Sequence, residues 1–378
     1  MRLAHISDLH LGKRLNGYSL IDDQKYILDR ILDIVTEKNA EGVMIAGDIF
    51  DKSAPSAEAV AVFDEFLTSL KKLGKLVFMI SGNHDSAERI AYGGKIMNES
   101  DIYISHVYDG SIEKITKNDE YGEINFYLVP FIKPAHIRPF FEGTEINTPT
   151  EAFSAVLSKY DIDESKRNVI ICHQFFAGAA VCESEELNVG TLDCTDPAVL
   201  DKFDYAALGH IHNPQKVKRD TVRYCGTPLK YSVSECGSTK SVTIVDLKEK
   251  SCVKISTVEL VPKRDLRRIR GTYEELMLRD NYINTNTEDY IDCTLTNEQE
   301  IPNVLEKLRN VYKNIVHFEY DNTRTRHYGE IKAVVQTDKK SPMELFSKLY
   351  SEQNGVEMTE QQAEYISSLI EEIWEVNE

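Results

Sequence analysis

Asp8 and His10, Asp48, Asn83, His173, and His210 with His212 are carboxylates, imidazoles and one neutral amide, set in short blocks far apart in the chain. Such a mixture suits borderline or hard divalent ions (Mn, Fe, Zn or Mg), whereas a softer site would need thiolates. Two ions held about 3.5–4 Å apart share a ligand and can clamp both the attacking and the leaving oxygen of a phosphoryl displacement. A carboxylate is the natural bridge, because each of its oxygens can serve one ion. Asp48, between Gly47 and the Ile49-Phe50 pair after an apolar run, is the best placed. The spacing in Asp8-Leu9-His10 and His210-Ile211-His212 sends alternate side chains the same way along an extended backbone. His84, beside Asn83, then points elsewhere and fits a catalytic role over the scissile phosphate, giving a hydrogen bond or proton to the leaving oxygen. Asp85 is placed to orient its imidazole. Gly47, Gly82 and Gly209 supply turns where a Cβ would crowd the ions.

Each block alone is ordinary. Histidines are common at strand ends, and Gly82-Asn83-His84-Asp85 reads equally well as a polar turn. The set is not ordinary, because every block follows an expected strand. Arg2–Ile6, Gly42–Ala46 and Leu76–Ile80 read as strands. Between them, Leu20–Glu37 and Ala57–Leu73 have the apolar spacing of helices, with Val60, Phe63, Leu67 and Leu70 three or four apart in the second. This β-α-β-α-β opening predicts a layered α/β domain. Strands expected at Ile124–Val129, Val169–Cys172, Ala206–Leu208 and Ser241–Val245 come with fewer helices, which predicts two sheets packed face to face with helices outside. In such sheets, sites form where loops leave the carboxyl ends of the strands.

The expected domains are 1–260 for this sandwich, 261–325 for a small α/β cap, and 326–378 for a connector and helical tail. The cap follows Pro262 and the basic run Arg264, Arg267, Arg268 and Arg270, with helices at Thr272–Leu278 and Pro302–Val311 and strands at Tyr290–Leu295 and Ile315–Tyr320. The tail reads as two helices, Pro342–Leu349 and Thr359–Trp374, the second with an apolar stripe of Tyr365, Ile366, Leu369, Ile370 and Ile373.

Seven Cys without paired short spacing argue for a reduced compartment and against a disulfide framework or zinc ribbon. No run approaches the roughly 18 apolar residues of a membrane helix, and no signal peptide is visible. A cytoplasmic, nucleoid-associated protein is the expectation. The net charge of -18 runs against a free-standing nucleic-acid binder. Part of it belongs to the proposed ligands, and part to residues 341–378, where nine Glu face one Lys. Bound cations could still attract a phosphodiester. His5 reads as a core or supporting histidine, and His106, His136, His317 and His327 as surface or loop histidines. Cys172 and Cys225 read as core residues, and Cys182 and Cys194 as loop residues without a base beside them. Lys216, Lys218, Arg219 and Arg223 form either a solvated face or a phosphate track.

The blocks Asp8-x-His10, Gly47-Asp48, Gly82-Asn83-His84-Asp85, His173 and Gly209-His210-x-His212 resemble the calcineurin-like metallophosphoesterase superfamily. Ser7-Asp8-Leu9-His10-Leu11-Gly12, Ala46-Gly47-Asp48-Ile49-Phe50-Asp51 and Val222-Arg223-Tyr224-Cys225-Gly226-Thr227-Pro228-Leu229 resemble its SbcD family of bacterial nuclease subunits. So do Phe203-Asp204-Tyr205, Ser234-Glu235 and Lys240-Ser241-Val242. The resemblance implies one Mn ion on Asp8, His10, Asp48 and His212 and another on Asp48, Asn83, His173 and His210. It implies a catalytic His84 supported by Asp85. Its implied activity is 3′-to-5′ exonuclease action on duplex DNA ends and endonuclease action on single strands and hairpins, in DNA repair. The implied partners are DNA, an SbcC-type ABC ATPase whose coiled coil takes the C-terminal helices, and a second nuclease subunit. Candidate pairing helices are Tyr18–Leu32 and Ala57–Leu70. Some relatives place a His shortly after the bridging Asp, where this chain has Asp51. A small-molecule phosphodiesterase or phosphatase on the same metals is the nearest alternative. A protein phosphatase and a scaffold on an inactive phosphoesterase fold are the others.

Overall fold

The computed structural model describes residues 1–180, 194–325 and 342–375. Cys182, Arg326 and His327 lie outside these residues, as do the side chains of Ile373 and Trp374. The chain divides into two compact units, Met1–Leu266 and Arg267–Glu378.

The first unit opens on β1 (Arg2–Ile6) and a small ribbon, β2 (Arg14–Leu15) with β3 (Tyr18–Ser19). Helix α1 (Ile21–Glu37), β4 (Gly42–Ala46), α2 (Ala57–Lys72), β5 (Leu76–Ile80) and β6 (Ile102–Ile104) follow. Then come the hairpin β7 (Glu113–Asp119) and β8 (Gly122–Val129), β9 (Arg167–His173), and β10 (Tyr205–Gly209). The unit closes with β11 (Gln215–Val217), β12 (Arg219–Tyr224), β13 (Ser241–Leu247) and β14 (Val253–Glu259).

These strands form two six-stranded sheets, in the orders β14-β13-β1-β4-β5-β6 and β11-β12-β10-β9-β8-β7. The expected α/β two-sheet sandwich flanked by helices is the fold observed. Strands β1, β4, β5 and β6 are parallel, as are β8, β9, β10 and β12. Antiparallel strands complete the edges: β13 and β14 in one sheet, β7 and β11 in the other.

Alternate residues of each strand meet in the core between the sheets. Leu3, Met44, Ala46, Phe78, Ile80 and Val245 face Ile124, Phe126, Leu128, Val169, Ile171, Tyr205 and Ala207. The rings of Phe78 and Phe126 stack across this layer with centroids 4.1 Å apart. Burial of that apolar surface, at roughly 25 cal/mol per Å², is what locks the two sheets together. A helix at Pro149–Ser158, begun by a Thr148–Glu151 capping box, puts Ala152, Phe153, Val156 and Leu157 on the outer face of the second sheet. Helix α2 starts at Ser56, whose side chain accepts from Ala59 N, and packs against α1 and β5.

Four edge strands lie where no strand is expected from the sequence, namely β6, β7, β11 and β14. The seven residues of β7, Glu-Lys-Ile-Thr-Lys-Asn-Asp, alternate between half-buried and exposed. An edge strand covered on one face needs few apolar residues. Strand β12 was also unexpected, because its arginines hide the alternation.

In the second unit a three-stranded sheet has the order β15 (Leu266–Gly271), β16 (Tyr290–Leu295), β17 (Asn314–Tyr320), with β16 and β17 parallel. Its core joins Leu276, Ile291, Cys293, Leu295 and Ile315 to Val304 and Leu308 of the helix Val304–Arg309. The expected helix at 272–278 is a single turn, Tyr273–Leu276, closed by a Thr272–Glu275 capping box. His317 is not in a loop: it lies on β17, with Nδ1 2.7 Å from Asp292 Oδ1. Helices Pro342–Asn354 and Glu360–Glu375 end the chain. Among the described residues, no helix is long and apolar enough to cross a membrane.

Candidate metal centre

Register explains why the donor residues meet. Ile6 pairs with Ile45, Ala46 with Ile80, and Gly209 with His173, so these parallel strands stop together and release their loops at one end of the sandwich. Asp8, His10, Asp48, His173 and His212 are buried there, between 0% and 4% exposed, while Asn83, His84 and His210 are half-buried.

The backbone does not stay extended as expected. Asp8, His10, Asp48 and His210 take positive φ values of 53°, 42°, 48° and 106°. Each such non-glycine conformation costs on the order of 1–3 kcal/mol, and residues of this kind cluster at functional sites. The folded frame holds them there: Asp8 N and His10 N donate to Gly47 O and Asp48 O, each at 3.0 Å. From α1, Gln24 reaches in and donates from Nε2 to His10 O at 2.7 Å and Leu9 O at 3.2 Å, while its Oε1 accepts from Gly12 N at 2.9 Å. Tyr231 donates its hydroxyl to Leu9 O at 2.5 Å. Nothing in the sequence spacing points to Gln24 or Tyr231.

Asp48 lies at the middle. Its Oδ2 is 3.4 Å from His173 Nε2, 3.7 Å from His10 Nε2 and 4.0 Å from His84 Nε2, and its Oδ1 accepts from His84 N at 2.9 Å. Asn83 Oδ1 is 3.0 Å from both His173 Nε2 and His210 Nδ1. His173 Nδ1 is 2.8 Å from the carbonyl of Ala46, which can only accept, so Nδ1 carries a proton and Nε2 turns toward Asp48 and Asn83. Both carboxylate oxygens of Asp8 accept from His210 N, at 3.1 and 3.2 Å. Single donor atoms of Asp8, His10 and His212 lie within 4.8 Å of one another, and the same holds for Asp8, Asp48 and His173, and for His10, Asp48 and His84.

Two of the glycines expected to make room do so measurably. A Cβ on Gly82 would lie 2.1 Å from Asp48 Oδ1, and one on Gly209 would lie 1.8 Å from Ala46 O.

Burial pushes the Asp8 carboxyl up to about 6, with the Asp48 charge adding to the effect. Burial acts on Asp48 in the same direction, but the surrounding His173, His10 and His84 hold it well below the usual carboxylate range. Burial lowers His210 to about 3 and carries His10 well below the ordinary imidazole value. Such a cluster fits divalent cations. It crowds carboxylate, amide and imidazole donors inside a dry pocket, and His10, 1% exposed, makes no hydrogen bond from either ring nitrogen among the described residues.

Asp85 does not hold the imidazole of His84. Its carboxylate accepts from Ile49 N at 3.0 Å, Phe50 N at 2.9 Å and Gly82 N at 3.0 Å, tying the loop after β4 to the loop after β5. Adjacency in sequence was misleading, because the turn aims the two side chains apart. The partner of His84 Nδ1 is the Asp51 carbonyl, at 3.1 Å. Ser7 donates to Asp8 Oδ2 and accepts from the buried Cys225 thiol at 3.0 Å, so the cysteine expected in the core backs the site. His5, 0% exposed, bonds the Tyr205 hydroxyl at 2.9 Å within the sandwich.

This end-of-strand cluster of His and Asp on a two-sheet sandwich is the site of a metal-dependent phosphoester hydrolase. The chain belongs to the calcineurin-like phosphoesterase family, which matches residues 1–214. Over nearly its full length it is similar to SbcD, the nuclease component of the SbcCD complex, from Staphylococcus epidermidis. The two are 31% identical over 377 residues, 98% of this chain and 99% of that protein. Residues 262–354 match the type 5 capsule protein repressor C-terminal domain. Among solved structures, a dimetal phosphatase from Danio rerio is 13% identical, covers 69% of this chain and 99% of its own, and has a TM-score of 0.39. A phosphoesterase from E. coli is 13% identical, covers 69% and 100%, and has a TM-score of 0.29.

Proposed function

We propose that this chain is the nuclease subunit of a DNA end-processing complex, with two Mn ions as its cofactors. The observation that carries the reading is the gathering of seven oxygen and nitrogen donors at one strand end in a chain similar from end to end to a nuclease subunit. Asp8, His10, Asp48 and His212 would hold one ion, and Asp48, Asn83, His173 and His210 the other. Such ions, when bound, supply the positive charge that a phosphodiester needs as negative charge grows on its oxygens.

The protein's own groups do the rest. The Gly82–Asp85 turn and the Asp85 carboxylate fix the loop that carries Asn83 and His84. His84 keeps its Nδ1 proton on the Asp51 carbonyl and presents Nε2, from a side chain 24% exposed, toward incoming substrate. Carrying a second proton on Nε2, it would donate to the departing sugar oxygen. Duplex exonuclease action in the 3′-to-5′ sense and cleavage of single strands and hairpins follow from the nuclease resemblance. The domain limits proposed are 1–260 for the nuclease, 261–325 for a cap over DNA, and 326–378 for the segment that binds an SbcC-type ATPase. Tyr365, 65% exposed on the last helix, suits such a coiled-coil partner. Pairing of two nuclease subunits completes the proposed assembly, acting on DNA in the cytoplasm.

The test compares Mn-dependent digestion of a linear duplex with that of a small phosphodiester, with and without the ATPase. Faster turnover of the duplex, raised further by the ATPase, is expected. Turnover of the small phosphodiester alone would favour the small-molecule alternative.

A further inference from the structure

Glu235 and Lys240 play no part in the proposed chemistry, yet both are buried, at 1% and 4% exposed, and both are spent on one residue. Glu235 Oε1 is 3.5 Å from His212 Nδ1 and accepts from Tyr231 N at 3.3 Å. Its Oε2 accepts from Lys240 Nζ at 2.5 Å and from Thr227 Oγ1 at 3.3 Å. Lys240 Nζ also donates to His212 O at 2.9 Å, and the same carbonyl accepts from Thr227 N at 3.0 Å. The main chain and the ring of His212 are therefore gripped by one network.

Burying an ion pair is costly, and a well-packed apolar pair would fill the same space at no such cost. A carboxylate facing the far nitrogen of a metal-binding histidine has a known physical use. It keeps the proton on Nδ1, turns the Nε2 lone pair to the ion and raises the basicity of the ring. The Glu235–Lys240 pair stands in that relation to the trio Asp8, His10 and His212. In the other half of the cluster His173 Nδ1 meets the Ala46 carbonyl instead of a carboxylate.

Resting on the two-ion reading, we propose that Glu235 is a positioning residue for His212, held in place by Lys240, and that it sets the affinity of one of the two metal sites without acting on the other. The structure gives the asymmetry: His212 belongs to the trio with Asp8 and His10, and not to the one with Asp48 and His173.

The test is calorimetric titration of Mn²⁺ into the full chain, with paramagnetic resonance to distinguish a spin-coupled pair of ions from a single one. In Glu235→Gln the amide oxygen goes to Lys240 and the amide nitrogen faces His212, which forces the opposite tautomer. One site should weaken about 10–100-fold while the other stays within about threefold of wild type. Glu235→Leu with Lys240→Met replaces the pair by apolar groups of similar volume, and it should fold and show the same selective weakening. Wild-type affinity at both sites in both variants overturns the proposal, as does equal weakening of the two sites. Failure of both variants to fold overturns it as well, because the pair is then structural. A wild-type chain that takes up fewer than two Mn²⁺ would sink the two-ion reading itself and this inference with it.

Discussion

Gly82→Ala is the smallest change that should disable the centre, and its size can be worked out. Gly82 does not have positive φ, so alanine meets no backbone strain, and the whole effect comes from one methyl group. That methyl would lie 2.1 Å from Asp48 Oδ1, 2.4 Å from Asp48 N and 2.7 Å from Asp48 Cγ. Two of those atoms can swing away with the side chain, but the nitrogen cannot, because Asp48 is held between β4 and the bonded carbonyls of its loop. Relief requires the loops after β4 and β5 to part by about 1 Å. Overpacking of this kind costs about 1–3 kcal/mol, offset by roughly 0.4–1 kcal/mol from the stiffer unfolded chain. A fall in Tm of a few degrees is expected. The effect on turnover should be far larger, at least about 10²-fold, because a displacement near 1 Å at a reacting centre has that cost. Gly237→Ala is the control, since a Cβ there meets nothing within 4 Å. Thermal melts followed by circular dichroism, with initial rates on a linear DNA duplex, measure both quantities. If Gly82→Ala matches Gly237→Ala in rate, the proposed place of Asp48 at the centre is wrong.

Replacing His84 with Ser should leave two ions bound and cut turnover by about 10²–10⁴-fold; unchanged turnover would remove it from the mechanism. Asp48→Ala should release both ions, and elemental analysis finding two still bound would refute a shared ligand. Asp119 sets an acid limit on stability. Burial raises its carboxyl, but Arg167 Nη1 at 3.1 Å, a second bond from Arg167 and the amino terminus outweigh that and hold it well below the usual value. Its contribution should therefore be complete above the ordinary carboxylate range and vanish as pH falls through the lowered value. Asp119→Asn should cost roughly 2–3 kcal/mol at neutral pH, less than a fully buried pair, with the gap to wild type closing in acid melts. A gap independent of pH would contradict the ion pair.

Much of the centre was legible because its residues are named by chemistry and placed by strand ends. Asp8, Asp48, Asn83 and His173 needed only the apolar runs before them. The buried strands β1, β4 and β5 were legible to the residue, since strands covered on both faces read as continuous apolar runs. The edges were not: β7 and β14 carry lysines and glutamates outward and present too little apolar pattern to read. Geometry inside the turns was also hidden. Left-handed φ at Asp8 and His10 is imposed by hydrogen bonds to another loop, and no local preference of aspartate or histidine encodes it. The reach of Gln24 and the pairing of Glu235 with His212 depend on side chains that meet only after the sheets have stacked. Asp85 was assigned to the wrong neighbour for the same reason.

Gln24 belongs to a helix whose other face looks outward, yet its amide is fastened to the carbonyls of Leu9 and His10. The exterior of α1 is thus mechanically wired to the interior. A dye, tether or crosslink placed on that helix to watch the protein would pull on the loop it was meant to report, so probes are better sited elsewhere. Conversely, a molecule that stiffens α1 from outside would steady the first loop without ever entering the cleft.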